Sequence, residues 1–235
     1  MQGVAVVVAT FNEEDNIGLF LRAVAQVAEV RELIVVDDGS TDSTVQQIKE
    51  FKGPFQVRLI QREKKSGTVS AQIAGARLSS FEYVVIMDAD MQHDPATIRN
   101  LYSEVSKGYD LVISSRLVDG GENKRTPERG LLSRGANFLA HLFIPATRGT
   151  RDVMSGYFCV KREIIANLNE VSNFYKILVY TLASRRSIKF KEIPGAFRVR
   201  ERGESKVVSG PESLLRYLIE LMHYVRLEYN LEESA

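Results

Sequence analysis

The sequence predicts an α/β protein with a mostly parallel central sheet flanked by helices, and three observations lead there. Short apolar runs rich in β-branched residues, at 4–9, 33–36, 83–87 and 111–114, read as strands buried on both faces. Segments of helical length separate them, which is the alternation that builds βαβ units. Two of the runs end in carboxylates, Asp37-Asp38 and Asp88-Ala89-Asp90, and an open α/β sheet presents its site at the C-terminal ends of its strands. With 235 residues, 44% of them hydrophobic, the chain can bury one sizeable core or two small ones.

In chain order, residues 4–9 form a first strand, then the polar turn Thr10-Phe11-Asn12-Glu13-Glu14-Asp15-Asn16 leads into a helix reaching about residue 27. The second strand, 33–36, ends in Asp37-Asp38-Gly39-Ser40-Thr41-Asp42, where Asp42 or Thr41 can cap the next helix. A more amphipathic third strand spans 57–61, and a helix spans 67–78, with Ala71, Ala74 and Gly75 small enough for close packing. The fourth strand starts at Tyr83. A helix over about 95–106 follows, opened by Asp94-Pro95, and then a fifth strand at 111–114. From Arg116 the character changes. Residues 116–151 hold seven basic residues against three acidic ones, five glycines and an apolar block at 138–144, which predicts a surface loop and a short packed helix. A strand at 154–160, a helix at 175–184 and a strand at 188–193 come next. Residues 197–206 gather Arg198, Arg200, Arg202 and Lys206 around Gly203. The last helix, about 211–228, confines Arg216, Glu220, His223 and Arg226 to one narrow stripe. Its remaining apolar surface suits partly the core and partly a partner or membrane interface.

Composition narrows the function classes. A net charge of +1 offers no global electrostatic attraction to nucleic acid. The single cysteine, Cys159, excludes an intramolecular disulfide framework and fits a reducing, cytoplasmic setting as a small core residue. No leader segment is expected before residue 3, and no apolar stretch approaches the ~18 residues of a membrane span, so a soluble or peripheral protein is expected. The turn after the first strand lacks Gly-x-Gly-x-x-Gly, so a dinucleotide-binding site is not supported.

The chemistry concentrates in Met87-Asp88-Ala89-Asp90-Met91-Gln92-His93-Asp94. Hard oxygen ligands at a strand end suit Mg²⁺ or Mn²⁺, and such a cation suits a diphosphate. A plain polar turn accounts for Asp94 and Pro95, but not for the crowding of Asp88 and Asp90, since like charges repel unless a cation neutralises them. The 116–151 segment reads either as a solvated loop or as a cationic rim beside an apolar patch, suited to a lipid with an anionic head. The arginines of 197–206 read either as a solvated loop or as a phosphate clasp.

Six motifs in order carry a family resemblance: Ala-Thr-Phe-Asn-Glu-Glu at 9–14, Val-Val-Asp-Asp-Gly-Ser-Thr-Asp at 35–42, Met-Asp-Ala-Asp-Met-Gln-His at 87–93, Ser-Ser-Arg at 114–116, Met-Ser-Gly-Tyr-Phe at 154–158 and Arg-x-x-Gly-Glu-Ser-Lys at 200–206. Together they resemble the inverting family 2 glycosyltransferases with a GT-A fold, and within them the dolichol-phosphate (polyprenyl-phosphate) mannose synthase branch. The match runs over about 3–206. The resemblance implies one catalytic domain over 1–208, with a nucleotide-sugar half (1–115), an acceptor half (116–208) and a C-terminal amphipathic helix and tail (209–235). It implies that Ala9, Phe11, Glu13, Asp37 and Asp38 hold the base and ribose of a nucleotide-sugar donor, and that Asp88 and Ala89 line its ribose and diphosphate. Asp90 and Gln92 would bind Mg²⁺ or Mn²⁺, Arg200 and Lys206 would close over the diphosphate, and Arg116, Arg129 and Ser133 would receive the acceptor phosphate. Ala9 stands where the family usually has proline, Phe11 where it often has tyrosine, and Val69 where a small residue is common.

The implied activity is inverting transfer of a hexose, mannose from GDP-mannose foremost, to a polyprenyl or dolichyl monophosphate. Such a protein would lie peripherally on a membrane or be held there by an anchoring subunit. A phosphate monoester, with a second pKa of ~6, is ionised at neutral pH and needs no general base. Consistently, residues 173–178 hold no acid where hydroxyl-using relatives often place one. The alternatives are glucosyl transfer from UDP-glucose to the same lipid, a saccharide hydroxyl acceptor, a non-catalytic nucleotide-sugar-binding subunit, or a nucleotidyltransferase. The last would need a Gly-rich basic loop after the first strand, where Thr10 to Asp15 is acidic.

Overall fold

Each apolar run becomes a strand whose alternate side chains enter two different cores. In β1 (Val4–Thr10), Val4, Val6 and Val8 join one cluster while Ala5 and Val7 join the other, which is why the run is apolar at every position. The computed structural model describes residues 2–124, 127–171, 174, 176–185, 187–200 and 211–233, with backbone alone at 127–129, 211–214 and 228–233. β1, β2 (Val30–Asp37), β3 (Gln56–Gln61) and β4 (Tyr83–Ile86) run parallel in the order β3-β2-β1-β4. The sheet continues through β7 (Phe158–Lys161), β5 (Leu111–Ser115) and β8 (Phe190–Pro194). β7 is antiparallel to both neighbours, whereas β5 and β8 pair in parallel. The mostly parallel sheet expected from the sequence is therefore present, with one reversed strand.

One face is covered by α1 (Glu14–Val24), α2 (Thr44–Glu50) and α4 (Thr97–Val105), whose Ile17, Phe20, Leu21, Ile48, Ile98 and Leu101 are buried against it. The other face receives α3 (Thr68–Leu78), α5 (Pro127–Phe143), α6 (Arg162–Ala166), α7 (Ile177–Ala183) and α8 (Pro211–Glu233). Cys159 is fully buried in β7, and burial pushes its thiol pKa far up, so it is an inert core residue.

Three elements differ from expectation. α5 is a 17-residue helix rather than a short one. Its Gly130 and Gly135 lie where an added Cβ would meet nothing within 4 Å, so they carry only the modest helix penalty of exposed glycine, about 1 kcal/mol each. β7 begins at Phe158 rather than 154, because Ser155 turns the chain: its N–H donates to Asp152 O and its Oγ donates to the carbonyls of Ser114 and Tyr157. A two-stranded sheet, β6 (Glu122–Asn123) with β9 (Ala196–Phe197), was not anticipated. It is joined to the main sheet at Gly195, whose N–H donates to Ser115 O while its carbonyl accepts from Glu122 N, at 2.9 Å each. A Cβ at Gly195 would lie 1.9 Å from Ser114 Oγ, so only glycine permits this approach.

Candidate active site

The pairings β1–β2 and β1–β4 bring three strand ends together: Thr10 beside Asp37, and the Asp88–Asp90 loop on the other side of β1. Asp37 and Asp38 are almost fully buried there and are satisfied by their own loops. Asp37 accepts from Thr10 Oγ1 (3.1 Å), Ser40 N (2.8 Å), Gly39 N (3.2 Å) and Ser40 Oγ. Asp38 accepts from Ser66 N and Gly67 N, both at 2.9 Å, and pairs with Arg62 at 2.8 Å. Asn12, in the left-handed region at φ 52°, accepts from Thr41 N and donates its own N–H to Ser40 Oγ. These bonds fix the rim on which Ala9 and half-buried Phe11 sit, and Lys65 Nζ lies 4.0 Å above the Phe11 ring.

At the end of β4 the chain delivers Asp88, buried Ala89 and Asp90. Met91 adopts φ 59°, and this tight turn lets Gln92 N donate to Asp90 Oδ1 at 3.1 Å. Gln92 and Arg198 then exchange two bonds, Gln92 Nε2 to Arg198 O (3.0 Å) and Arg198 N to Gln92 O (2.8 Å). With its NH₂ held there, Gln92 keeps Oε1 for a ligand. Arg200 Nη2 lies 3.2 Å from Asp90 Oδ2 and 3.3 Å from Glu13 Oε1, although the three residues are far apart in sequence. Glu13 is itself set by Asn16 Nδ2 and by its N–H donating to Thr44 Oγ1. Burial raises the pKa of Asp88, and the Asp90 charge raises it further, against the opposing pull of Lys176 and Arg200. Asp90 is also raised by burial, partly offset by Gln92 N–H and by Arg200.

This donor set fits a hard divalent cation. Among the described residues no three His, Cys, Asp or Glu side chains converge as a closed cage. A magnesium-type ion on a diphosphate needs less, one or two carboxylates with phosphate and water oxygens completing the octahedron. Asp90 and the amide oxygen of Gln92, which meets no hydrogen-bond donor among the described residues, supply that share, and the guanidinium already drawn to Asp90 and Glu13 shows that the loop gathers positive charge.

Beyond β5, Arg116 is almost fully buried and forks on to Asp152: its N–H (3.0 Å), Nε (2.7 Å) and Nη2 all donate to that carboxylate. Asp152 N and Arg151 N in turn donate to Glu192. The Arg116 guanidinium carbon lies 5.5 Å from the Phe197 ring centroid. Ser133 sits half-buried on α5. The side chain of Arg129 and the whole of Lys206, both expected at the site, lie outside the described residues. The structure thus brings Glu13, Asp88, Asp90, Gln92 and Arg200 into one cluster, with Asp37 and Asp38 as the supports of the adjoining rim.

Sequence reasoning missed Asp152, Phe197, Lys65 and Arg62. It also gave no role to Lys176, which is electrostatically felt by Asp88. His93 was quoted only as part of a motif. It is buried between Tyr157 and Phe197, with ring centroids 5.0 Å away on each side. Lys176 stands in the acid-free 173–178 stretch, and a search there for cations would have found it.

Residues 5–168 match the Glycosyl transferase family 2 profile. The chain is 33% identical over 228 residues to a dolichol-phosphate mannosyltransferase of Pyrococcus furiosus, covering 96% of this chain but 64% of the relative. It is 31% identical over 217 residues to a polyprenol monophosphomannose synthase of Mycolicibacterium smegmatis, covering 88% and 81%. The fold superposes on glucosyl-3-phosphoglycerate synthase from Mycobacterium tuberculosis, solved in complex with Mn²⁺, UDP-glucose and phosphoglyceric acid, with TM-score 0.71. That match covers 96% of this chain and 80% of that one at 20% identity, and the shared architecture is the GT-A fold.

Proposed function

Because the chain belongs to glycosyl transferase family 2, we propose that it transfers a hexose, mannose from GDP-mannose, to the phosphate of a polyprenyl or dolichyl lipid with inversion at the anomeric carbon. The observation that carries this is the cluster of Asp90, Gln92, Glu13 and Arg200 at the end of β4, beside a cationic acceptor side and without an acid at 173–178. Residues 1–115 serve the donor and 116–208 the acceptor, with 209–235 as the C-terminal helix and tail.

Asp90 and Gln92 Oε1 would hold Mg²⁺ or Mn²⁺, and such a cation would supply neutralisation of the charge on the departing diphosphate. On entry of the donor, Arg200 exchanges its carboxylate partners for the diphosphate, and Lys206 is assigned to the same diphosphate. Arg116, Arg129 and Ser133 orient the acceptor phosphate. An already ionised phosphate oxygen attacks the sugar C1 from the face opposite the nucleotide. The C1–oxygen bond to the diphosphate breaks, the nucleoside diphosphate leaves with the electron pair, and no proton has to move.

Membrane contact at the lipid side falls to two helix faces. On α5, Leu131, Leu132, Phe138, Leu142 and Phe143 are exposed, and on α8 so are Leu215, Leu218, Ile219 and Met222 at helical spacing. Tyr217 Oη donates to Ala136 O at 2.8 Å and holds the helices side by side. No helix among the described residues is long and apolar enough to cross a membrane, so these faces suit shallow insertion. Flotation with anionic lipid vesicles measures this: Leu142→Asp with Met222→Asp should leave the protein unbound.

The deciding experiment incubates the protein with Mg²⁺ or Mn²⁺, GDP-mannose or UDP-glucose, and a short polyprenyl monophosphate, then weighs the lipid by mass spectrometry. A phosphohexose from GDP-mannose is the expected product. Transfer only to a saccharide hydroxyl overturns the assignment.

A further inference from the structure

Phe197 is the one described residue of β9 that touches both sides of the site. It is buried, and its ring meets His93 edge-on, 5.0 Å between centroids at 79°. The same ring lies under the Arg116 guanidinium. Its backbone forms an antiparallel bridge to His93, the residue after Gln92, and pairs with Asn123 in β6. Its carbonyl accepts from Lys124 N at 3.0 Å. The next residue, Arg198, is bonded twice to Gln92 and pairs with Asp94 at 2.8 Å. Three residues along is Arg200, on Asp90 and Glu13.

We propose that Phe197 is a positioning residue that couples the cation-and-diphosphate side to the acceptor-phosphate side. A cation and a diphosphate arriving at Asp90 and Gln92 must displace Arg200, which lies on the same short segment as Phe197. The shift passes through the twice-bonded Arg198 to the Phe197 backbone, and the ring carries it to Arg116. Arg116 cannot follow freely, because Asp152 holds its N–H, its Nε and its Nη2. One ligand therefore tightens the other through a shared brace rather than by contact, the ordinary meaning of a coupling free energy. The lipid side of this inference rests on the proposed acceptor role of Arg116, while the movement of Arg116 itself does not.

Two measurements separate those parts. In protein labelled with ¹⁵N-arginine, the Arg116 Nε–H resonance is identified by its loss in Arg116→Lys or, should that variant not fold, as the signal displaced most in Asp152→Asn. Adding Mg²⁺ alone, then with GDP or with UDP, should shift it in the wild type. Phe197→Leu, with unchanged thermal midpoint and remaining spectrum, should abolish the shift, and Phe197→Tyr should keep it. Calorimetric titration with a short isoprenyl phosphate, and with inorganic phosphate as the headgroup-only arm, should show affinity rising about tenfold when Mg²⁺ and nucleotide are present. In Phe197→Leu that ratio should fall to about one. An Arg116 signal that no addition moves in the wild type, or a shift fully kept by Phe197→Leu, overturns the coupling. A shift that depends on Phe197, in a protein that binds no isoprenyl phosphate, upholds the brace and sinks the acceptor assignment instead.

Discussion

At the ends of β1 and β2, Asp37 and Asp38 are each closed in by hydrogen bonds from their own neighbourhood, Ser40, Gly39, Ser66, Gly67 and Arg62. At the end of β4, Asp88 and Asp90 meet each other, Glu13 and a guanidinium from 110 residues away. The same residue type thus serves as a finished loop support on one side and as an electrostatically strained cluster on the other. A buried carboxylate with several N–H partners stabilises the fold, whereas paired acids short of positive charge oppose it and favour whatever cation arrives. The two ends should respond to mutation in opposite currencies, stability at the first and ligand affinity at the second.

The largest separation is expected from Asp90→Asn. Initial rates with nucleotide-sugar and isoprenyl phosphate should fall by about a hundredfold or more, since a metal ligand is lost. The thermal midpoint should hold or rise, because one of two crowded acids is gone. Asp38→Ala should do the reverse. It strips two loop N–H groups and Arg62 of their acceptor, and urea unfolding should show a loss of about 3 kcal/mol. If Asp38→Ala leaves stability intact, the contrast fails on that side.

Arg200→Ala sharpens the comparison further. With the competing guanidinium removed, Mn²⁺ followed by electron paramagnetic resonance should bind more tightly to the nucleotide-free protein, while the nucleotide-sugar should bind about tenfold more weakly. The smallest effect is on pH dependence. Burial, with the charge of Asp90, pushes Asp88 up to about 7 in the folded protein, against ~3.9 for an unfolded aspartate. Between those values the unfolded chain binds fewer protons than the native one, so stability falls as pH rises through the window. Melting in EDTA across pH of about 4 to about 7 should show that slope, Asp88→Asn should flatten it, and saturating Mg²⁺ should remove it.

Much of the scaffold was legible because the runs 4–8, 33–36, 84–87 and 111–113 are buried on both faces and are apolar at every position. α5 was not: Gly130 and Gly135 read as breaks, yet they face open space and the helix runs through them. β7 was set too early because Met154 and Tyr157 extend the apolar run of 158–160 backwards, while Ser155 and Gly156 turn the chain there; a Cβ on Gly156 would sit 3.4 Å from Asp88 Oδ2. Strands of two residues, β6 and β9, leave no periodicity to read. In the site, Glu13, Asp90, Gln92 and Arg200 were found through motifs. Asp152 and Phe197 were not, since their partner Arg116 is 36 residues away in sequence from one and 81 from the other. Nothing in local spacing encodes such contacts.

The junction at Gly195 ties the small sheet to the large one through main-chain atoms on both sides. The small sheet is therefore mounted on the large one through the main chain of Ser115, Glu122 and Gly195. Within 117–124 only two positions are tied to one residue type by the backbone: Gly120 by its φ of 83°, and Gly121 because a Cβ there would lie 2.7 Å from Ser115 O, so changes elsewhere along the segment leave the junction where it is.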